Sequence, residues 1–226
     1  MLIPRILHQA WLGGGPVPNR DSKCRERILA LHPDWCHSYL TDASILADPA
    51  LGPLRPKLAS AWDRFAAGDR AHSGNAIRAD LVRMAGLLVM GGVALDHDMW
   101  FLKPISDVFL ERPLLLAESW RTPDGGGIAG EFVMGCHPRD PWLYNVLDQF
   151  CDVKSQPGGT ITANIESHRR RDCLHAWPME YFCPHHRRQP EKRYHTTGNT
   201  VAIHLFRQIE YDWPTLESLA GMRAAA

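Results

Sequence analysis

Short apolar runs alternate with amphipathic stretches along the chain. The first apolar run, at 6–11, predicts a strand that ends in a glycine-rich loop. The remaining pattern predicts strands at 35–40, 93–95, 114–117 and 131–134 and helices at 24–31, 75–89 and 142–150, and a further apolar run lies at 201–205. Residues 43–72 and the chain beyond 155 give weak signals. This order of strands and helices is typical of an α/β domain with parallel neighbouring strands.

The helix at 75–89 is the best-defined predicted element. Its apolar residues recur at helical spacing, and the glycines at 91–92 are expected to end it. A short apolar strand at 93–95 follows directly and leads into the acidic motif at 96–98. The pattern therefore places an acidic pair at the carboxyl end of a buried strand.

Asp96 and Asp98 form this pair, and on a continuing strand both side chains would point the same way. Two close carboxylates raise one another's pKa unless a cation lies between them. Open α/β sheets bind ligands at the carboxyl ends of their strands, and oxygen ligands favour a hard ion such as Mg²⁺ or Mn²⁺. A solvated turn is the alternative, which the apolar residues on both sides of the motif argue against. On a strand His97 would point away from the ion, and no role is assigned to it.

Three further residues stand out against the apolar pattern. Asp80 and Arg83 interrupt the helix at 75–89 at i, i+3 spacing, which predicts either a surface ion pair or a contribution to a site. Trp11 closes the first strand beside the glycine loop. Its ring either joins the core or stacks on a nucleobase.

Composition and charge narrow the class of protein. The chain has 226 residues, of which 45% are hydrophobic and 22% charged, and no repeat or low-complexity linker divides it, so we expect one domain over 1–226. A formal net charge of zero argues against disorder and against a nucleic-acid partner. Although the net charge of the chain is zero, segment 167–207 is basic, with eight Lys or Arg residues and three acidic ones. This segment is either a solvated surface or a patch for an anionic membrane or an acidic acceptor.

The cysteine pattern and the first residues of the chain indicate the cellular compartment in which the protein is expected. Six cysteines occur without a Cys-x-x-Cys pair, so we expect them to be reduced and mostly buried. No apolar run reaches the ~18–20 residues of a membrane span, and the first residues lack the pattern of a secretory signal. We therefore expect a cytoplasmic protein, with at most peripheral contact with the inner face of the membrane.

Taken together and in order, these segments resemble glycosyltransferase family 32, the DXD sugar-binding family that contains the yeast initiating α-1,6-mannosyltransferase and is related to clostridial toxin glucosyltransferase domains. Segment 3–13 is similar to the family's opening. Segments 78–83 and 91–105 are similar to its central motif, in which an Asp and an Arg precede a Gly-Gly turn, a strand and the acidic pair. Segment 202–204 and Trp213 are similar to its closing part.

The resemblance implies a GT-A fold, a single Rossmann-like α/β domain with a mixed sheet. Residues 1–110 would form the nucleotide-sugar and metal half, and 111–226 the acceptor half with a closing C-terminal segment. Trp11 would stack on the base, Asp80 would bind ribose or sugar hydroxyls, and Trp213 would lie on a loop over the diphosphate. The candidate catalytic residues are Arg83, Asp96 and Asp98, the candidate substrate-binding residues are Trp11, Gly13, Arg78, Asp80, Arg207 and Trp213, and the candidate ligands of a Mn²⁺ or Mg²⁺ ion are Asp96, Asp98 and His204.

These features predict a metal-dependent retaining glycosyltransferase of polysaccharide biosynthesis. It would move a hexose from a UDP- or GDP-linked donor to a hydroxyl of a glycan, a lipid-linked molecule or another acceptor. Arg83 or Arg207 would add a fixed positive charge near the leaving group. Because the sequence singles out no carboxylate as nucleophile, front-face attack is favoured, with Glu118 and Glu131 as the weaker candidates for a carboxylate near the sugar.

Two other functions stay open on the sequence alone. Asp-x-Asp after an apolar strand also occurs in haloacid-dehalogenase-like phosphoryl-transfer enzymes. A non-catalytic sugar-nucleotide or glycan-binding module would keep Trp11 but would not need a metal ion.

Overall fold

The computed structural model describes residues 2–12, 14–66, 71–121, 127–152, 160–172, 174–185, 194–206 and 210–224. The strands are β1 (Ile6–Ala10), β2 (Cys36–Leu40), β3 (Gly92–Leu95), β4 (Met99–Phe101), β5 (Leu114–Arg121), β6 (Gly127–Cys136) and β7 (Ala202–His204). The helices are α1 (Asn19–Leu31), α2 (Leu54–Ala66), α3 (Ala71–Met90), α4 (Asp107–Leu110), α5 (Pro141–Asp152), α6 (Thr160–Arg171), α7 (Met179–Phe182) and α8 (Trp213–Ala224). Two short 3₁₀ helices, Ser44–Ala47 and Pro49–Leu51, precede α2.

The central sheet is mixed, with the strand order β2-β1-β3-β6-β5. β1 runs parallel to both β2 and β3, whereas β6 is antiparallel to β3 and β5. The carboxyl ends of β2, β1 and β3 therefore meet at one edge of the sheet. A second, two-stranded sheet pairs β4 with β7 and sets Met99 opposite His204. The predicted α/β fold with parallel neighbours and a mixed sheet is confirmed.

Apolar side chains cover both faces of the central sheet, because successive residues of a strand point to opposite faces. Ala94 of β3 joins a core built with α2, α3, α5 and α6. Val93 and Leu95 join a second core on the other face, built with α1, α4 and α7. A smaller cluster packs α1 and α8 against the β4–β7 sheet through residues such as Trp100 and Leu216.

The turn from α3 into β3 depends on two glycines in a left-handed conformation. Gly91 has φ +68° and donates its N–H to Leu87 O at 2.8 Å, which ends the helix. Gly92 has φ +107°, and a Cβ there would lie 2.5 Å from the carbonyl oxygen of Ile6 on the neighbouring strand. Only glycine lets the chain turn this tightly and still pair with β1.

We expect Gly92→Ala to destabilise the protein by about 2 kcal/mol or more, because the methyl group meets β1 and the backbone conformation is strained. Urea unfolding monitored by circular dichroism measures the change. The matched control is Gly198→Ala, since a Cβ at Gly198 has no atom within 4 Å. This control should change the free energy of unfolding by less than about 0.5 kcal/mol. Equal stability of the Gly92 and Gly198 variants would contradict the argument.

Several elements differ from the sequence-based predictions. α1 begins at Asn19, five residues earlier than predicted, and α3 begins at Ala71. The weak region 43–72 contains α2. The chain beyond 155 forms α6, α7 and α8. The apolar pattern did not indicate α6, which carries few apolar residues, or α7, which has only 4 residues.

Four of the five cysteines that the structure describes are buried and Cys36 is exposed, and none of the five forms a disulfide. This agrees with the prediction of reduced, mostly buried thiols. Among the described helices, none is both long and apolar enough to cross a membrane.

Candidate metal and donor site

The acidic pair lies where β3 ends, but the strand does not continue through it. The N–H of Asp96 still bonds to Phe132 O at 3.0 Å, and residues 97–98 then form a turn before β4. The expectation of a continuing strand was therefore wrong. The turn at 97–98 leads directly into β4. Because β4 pairs with β7, His204 lies close to the two carboxylates.

Asp96, Asp98 and His204 form one cluster. His204 Nε2 lies 3.2 Å from an oxygen of Asp98 and 3.5 Å from an oxygen of Asp96. One ligand atom from each residue can be chosen so that all lie within 4.8 Å of one another. Two carboxylates and an imidazole are a donor set that divalent ions such as Mn²⁺ and Mg²⁺ accept, so the residues fit such an ion.

The electrostatics of the cluster show strong mutual stabilisation of opposite charges. Burial would lower the pKa of His204, but the charge of Asp98 and its hydrogen bond hold that pKa well above its usual value. Burial would raise the pKa of Asp98, but His204 and Arg20 outweigh it and lower the pKa. The His204 ring is also stacked on Phe132, with centroids 5.2 Å apart. A divalent ion would take the place of the proton that His204 holds.

Arg83 is buried and bridges two carboxylates. One guanidinium nitrogen is 2.5 Å from Asp96, and another makes a very short contact with Asp80. Burial would lower the pKa of Arg83, but the two carboxylates raise it, so the guanidinium stays charged. Burial raises the pKa of Asp80, although Arg83 opposes the shift. The i, i+3 pair was predicted correctly, but it is buried and fixes Asp96 instead of lying on the surface.

One of the two glutamates that the sequence raised lies beside this ion pair. The charge of Glu131 acts on both Asp80 and Arg83, and its carboxylate accepts a hydrogen bond from the Thr162 hydroxyl. Glu118 instead accepts the N–H of Met179, at the start of α7, at 3.3 Å. Its described contact is structural.

Trp11 lies beside the acidic motif, at the end of β1. Its indole N–H donates to Gly15 O at 2.9 Å, and its ring meets His97 edge-on at 5.7 Å. Trp11 is only half-buried, so part of its ring is open to a ligand. Gly13 lies outside the described residues.

The remaining predicted substrate residues are not gathered around the acidic pair by their described contacts. Arg78 donates to Trp62 O at 3.0 Å and lies over the Trp62 ring, which ties α3 to α2. Trp213 begins α8 and packs edge-on against Trp100 at 5.5 Å. The preceding Asp212 accepts the N–H of Thr215 and so caps α8, which accounts for an acid at this position. Arg207 lies outside the described residues.

Sequence reasoning missed one charged residue of the site. Arg20, in the first turn of α1, places a guanidinium nitrogen 3.8 Å from an oxygen of Asp98. The signal that could have found it is the position just after the glycine-rich loop, where the first turn of a helix faces an anionic ligand. The prediction placed the start of this helix too late and left Arg20 in the loop.

The basic segment 167–207 is partly neutralised from within. Arg169 and Arg170 both bind Glu166, and Arg171 binds Asp172. His185 of this segment is buried and shares a hydrogen bond of 2.7 Å with Tyr211. The described arginines of α6 therefore serve the fold, since Glu166 also accepts the N–H of Ala129 at 3.0 Å and docks α6 on β6.

Comparison with known proteins agrees with this geometry. Residues 18–118 match the family model described as "Glycosyltransferase sugar-binding region containing DXD motif", and they include the acidic motif. Inositol phosphoceramide mannosyltransferase 3 of Schizosaccharomyces pombe is 29% identical over 146 residues, which are 64% of this chain and 36% of that protein. Mannosyl phosphorylinositol ceramide synthase CSH1 of Saccharomyces cerevisiae is 29% identical over 148 residues, 65% of this chain and 35% of that protein. The match thus spans about a third of the length of these curated relatives.

Among solved structures, the chain is similar to the PaToxG glycosyltransferase, with a TM-score of 0.58 and 13% sequence identity over 76% of this chain and 70% of that one. At this identity the likeness shows the fold, which is GT-A. The DXD motif of the matched region is Asp96-His97-Asp98, at the carboxyl end of β3 as in the predicted arrangement. Over residues 18–118 this chain is similar to the family of glycosyltransferases whose sugar-binding region contains a DXD motif.

Proposed function

We propose that the protein is a metal-dependent, retaining glycosyltransferase that moves a hexose from a nucleotide-diphosphate sugar to an acceptor hydroxyl. The observation that carries the proposal is the convergence of Asp96, Asp98 and His204 at the carboxyl edge of β3. Open α/β sheets bind their ligands at this edge, and the convergence supplies donors for an ion that the sugar diphosphate would share. The family match supplies the class of reaction.

Asp98 and His204 would hold the Mn²⁺ or Mg²⁺ ion, with Asp96 turned toward it by Arg83. The bound ion would supply positive charge against the departing diphosphate. Arg20 lies 3.8 Å from Asp98 and pairs with Asp21 at 3.1 Å, and its side chain is 22% exposed, whereas that of Arg83 is 4% exposed. We therefore assign Arg20 the contact with the diphosphate that the sequence suggested for Arg83 or Arg207.

The step consists of one bond formed and one broken on the same face of the sugar. The acceptor oxygen bonds to the anomeric carbon as the bond from that carbon to the phosphate oxygen breaks, and the leaving phosphate takes the acceptor's proton. Glu131 would stand near the sugar and favour the positive charge that develops on the ring, since it already acts on Asp80 and Arg83. Its position is held by Thr162.

The donor and acceptor are proposed from the relatives. The two curated relatives are named as an inositol phosphoceramide mannosyltransferase and a mannosyl phosphorylinositol ceramide synthase, so a mannosyl donor and a lipid-linked hydroxyl are the first pair to test. We propose one domain over 1–226, with the donor half at 1–110 and the acceptor half at 111–226. The cytoplasmic location and the contact with an anionic membrane stay predictions.

Calorimetric titration with UDP and GDP, each with and without Mn²⁺, tests the nucleotide and metal parts of the proposal. We expect Mn²⁺ to strengthen binding of one of the two nucleotides by about tenfold or more, because the ion joins the carboxylates to the diphosphate. Equal affinity with Mn²⁺ and with excess chelator would contradict the metal-dependent site.

A turnover assay separates the transferase from the alternatives. Release of UDP or GDP from a panel of nucleotide sugars, starting with GDP-mannose, is the expected activity. Turnover of generic phosphate esters with no release from any nucleotide sugar would favour the phosphoryl-transfer alternative. Nucleotide binding without release, in the presence and absence of acceptors, would favour a binding module.

A further inference from the structure

His97, the middle residue of the acidic motif, is buried without hydrogen bonds. Its side chain belongs to a residue that is 8% exposed, and neither ring nitrogen has a hydrogen-bond partner among the described residues. Buried polar groups in folded proteins are nearly always paired, so an imidazole with two unused nitrogens requires an explanation. Residues 97–98 form the turn between β3 and β4.

Aromatic rings surround His97 at the ligand-binding edge of the sheet. The Tyr39 ring lies 5.4 Å away at 78°, and the Trp11 ring lies 5.7 Å away at 70°. The three residues stand at the ends of β2, β1 and β3, which are parallel neighbours, so they share the carboxyl edge. Trp11 and Tyr39 are both partly exposed, and the Arg25 guanidinium lies over the Tyr39 ring at 4.5 Å.

The chemistry of this group suits the polar edge of a flat ring. The imidazole of His97 has two ring nitrogens that can take part in hydrogen bonds, and neither is used within the described residues. Trp11 provides an aromatic face for stacking. The polar group and the stacking face lie next to each other and next to the two aspartates that would hold the ion and its diphosphate.

We propose that His97 reads the nucleobase of the donor: one of its ring nitrogens binds the polar edge of the base that stacks on Trp11. This inference rests on the proposed function and adds a residue that selects the base. The ligand chemistry is a nucleoside diphosphate whose base carries adjacent donor and acceptor groups, as uracil and guanine do. Tyr39 holds the imidazole in place from the other side.

The test compares ligands with and without a base. Wild type, His97→Phe and His97→Asn are titrated with UDP, GDP and inorganic pyrophosphate, all in the presence of Mn²⁺. We expect His97→Phe to weaken binding of the preferred nucleoside diphosphate by about tenfold or more and to leave pyrophosphate binding within about twofold. His97→Asn keeps a donor and an acceptor and should recover part of the loss.

Controls keep the result interpretable. His175→Phe replaces another imidazole that packs edge-on against a Trp ring, that of Trp177, and should bind all three ligands as wild type does. Thermal unfolding of each variant shows whether it folds. If His97→Phe does not fold, His97→Asn becomes the test variant. Its affinity for the nucleotide must then fall by at least about threefold while its affinity for pyrophosphate stays unchanged.

The outcomes distinguish the two proposals. Unchanged nucleotide affinity in both His97 variants, or an equal loss for nucleotide and pyrophosphate, would overturn the base-reading role while leaving the proposed transferase intact. A wild-type protein that binds none of the three ligands with Mn²⁺ would overturn both.

Discussion

Replacing Asp98 with Asn should reduce glycosyl transfer and donor hydrolysis by about a thousandfold. The reason is the loss of one carboxylate from the cluster in which His204 Nε2 lies 3.2 Å from Asp98 and 3.5 Å from Asp96. Without its charge, the ion that neutralises the leaving diphosphate binds weakly. The measurement is the rate of nucleotide release at saturating Mn²⁺, together with Mn²⁺ affinity from calorimetry.

The matched control for this variant is Asp107→Asn. Asp107 is an exposed carboxylate paired with Arg5 at 2.8 Å, and it lies outside the site. Asp107→Asn should keep the wild-type rate. Full activity of Asp98→Asn, or of the wild type in excess chelator, would show that the acidic pair does not serve a metal ion.

Replacing Arg83 with Met should cost about 3–5 kcal/mol of the free energy of unfolding, because it leaves two carboxylates uncompensated in a buried place. Arg83 is 3% exposed and bridges Asp80 and Asp96. Urea unfolding, with the slope checked for two-state behaviour, measures the loss. Asp96 should also lose its orientation, so the variant's Mn²⁺ affinity should fall.

Arg5→Met is the control for Arg83→Met. The Arg5 side chain is 52% exposed, and its ion pair with Asp107 is screened by solvent. It should contribute less than about 1 kcal/mol. Similar losses in the Arg5 and Arg83 variants would mean that the buried bridge is not what holds the site.

The sequence predicted the part of the fold that local patterns encode. The apolar runs correctly predicted β1, β2 and β3. Gly91 indicated the end of α3, because a glycine in the left-handed conformation commonly ends a helix. The acidic pair was found because two carboxylates after a buried strand are unusual. Its likeness to a known family then supplied His204, which lies more than 100 residues away and has no local signal of its own.

What the sequence could not predict depends on tertiary contacts. The spacing of Asp80 and Arg83 could not distinguish a surface ion pair from a buried one, because helical spacing does not show which other elements cover the helix. The aromatic surroundings of His97 were not predicted, because Trp11 and Tyr39 reach it from neighbouring strands that are distant in sequence. Arg20 was missed because the start of α1 lay five residues earlier than predicted.

Because β4 pairs with β7, the cluster of Asp96, Asp98 and His204 forms only after the chain has been synthesised as far as β7. Met99 and His204 are neighbours across this small sheet, so the third ligand reaches the two aspartates only after the chain has closed a loop of about 100 residues, which is slow compared with local folding. A nascent chain that ends before residue 204 would already have α3 and the acidic motif but no imidazole to join Asp96 and Asp98. An ion that binds all three residues stabilises the completed chain by mass action and does so much less for a prematurely ended one. Tight metal binding would therefore report that synthesis and docking of the C-terminal strand are finished.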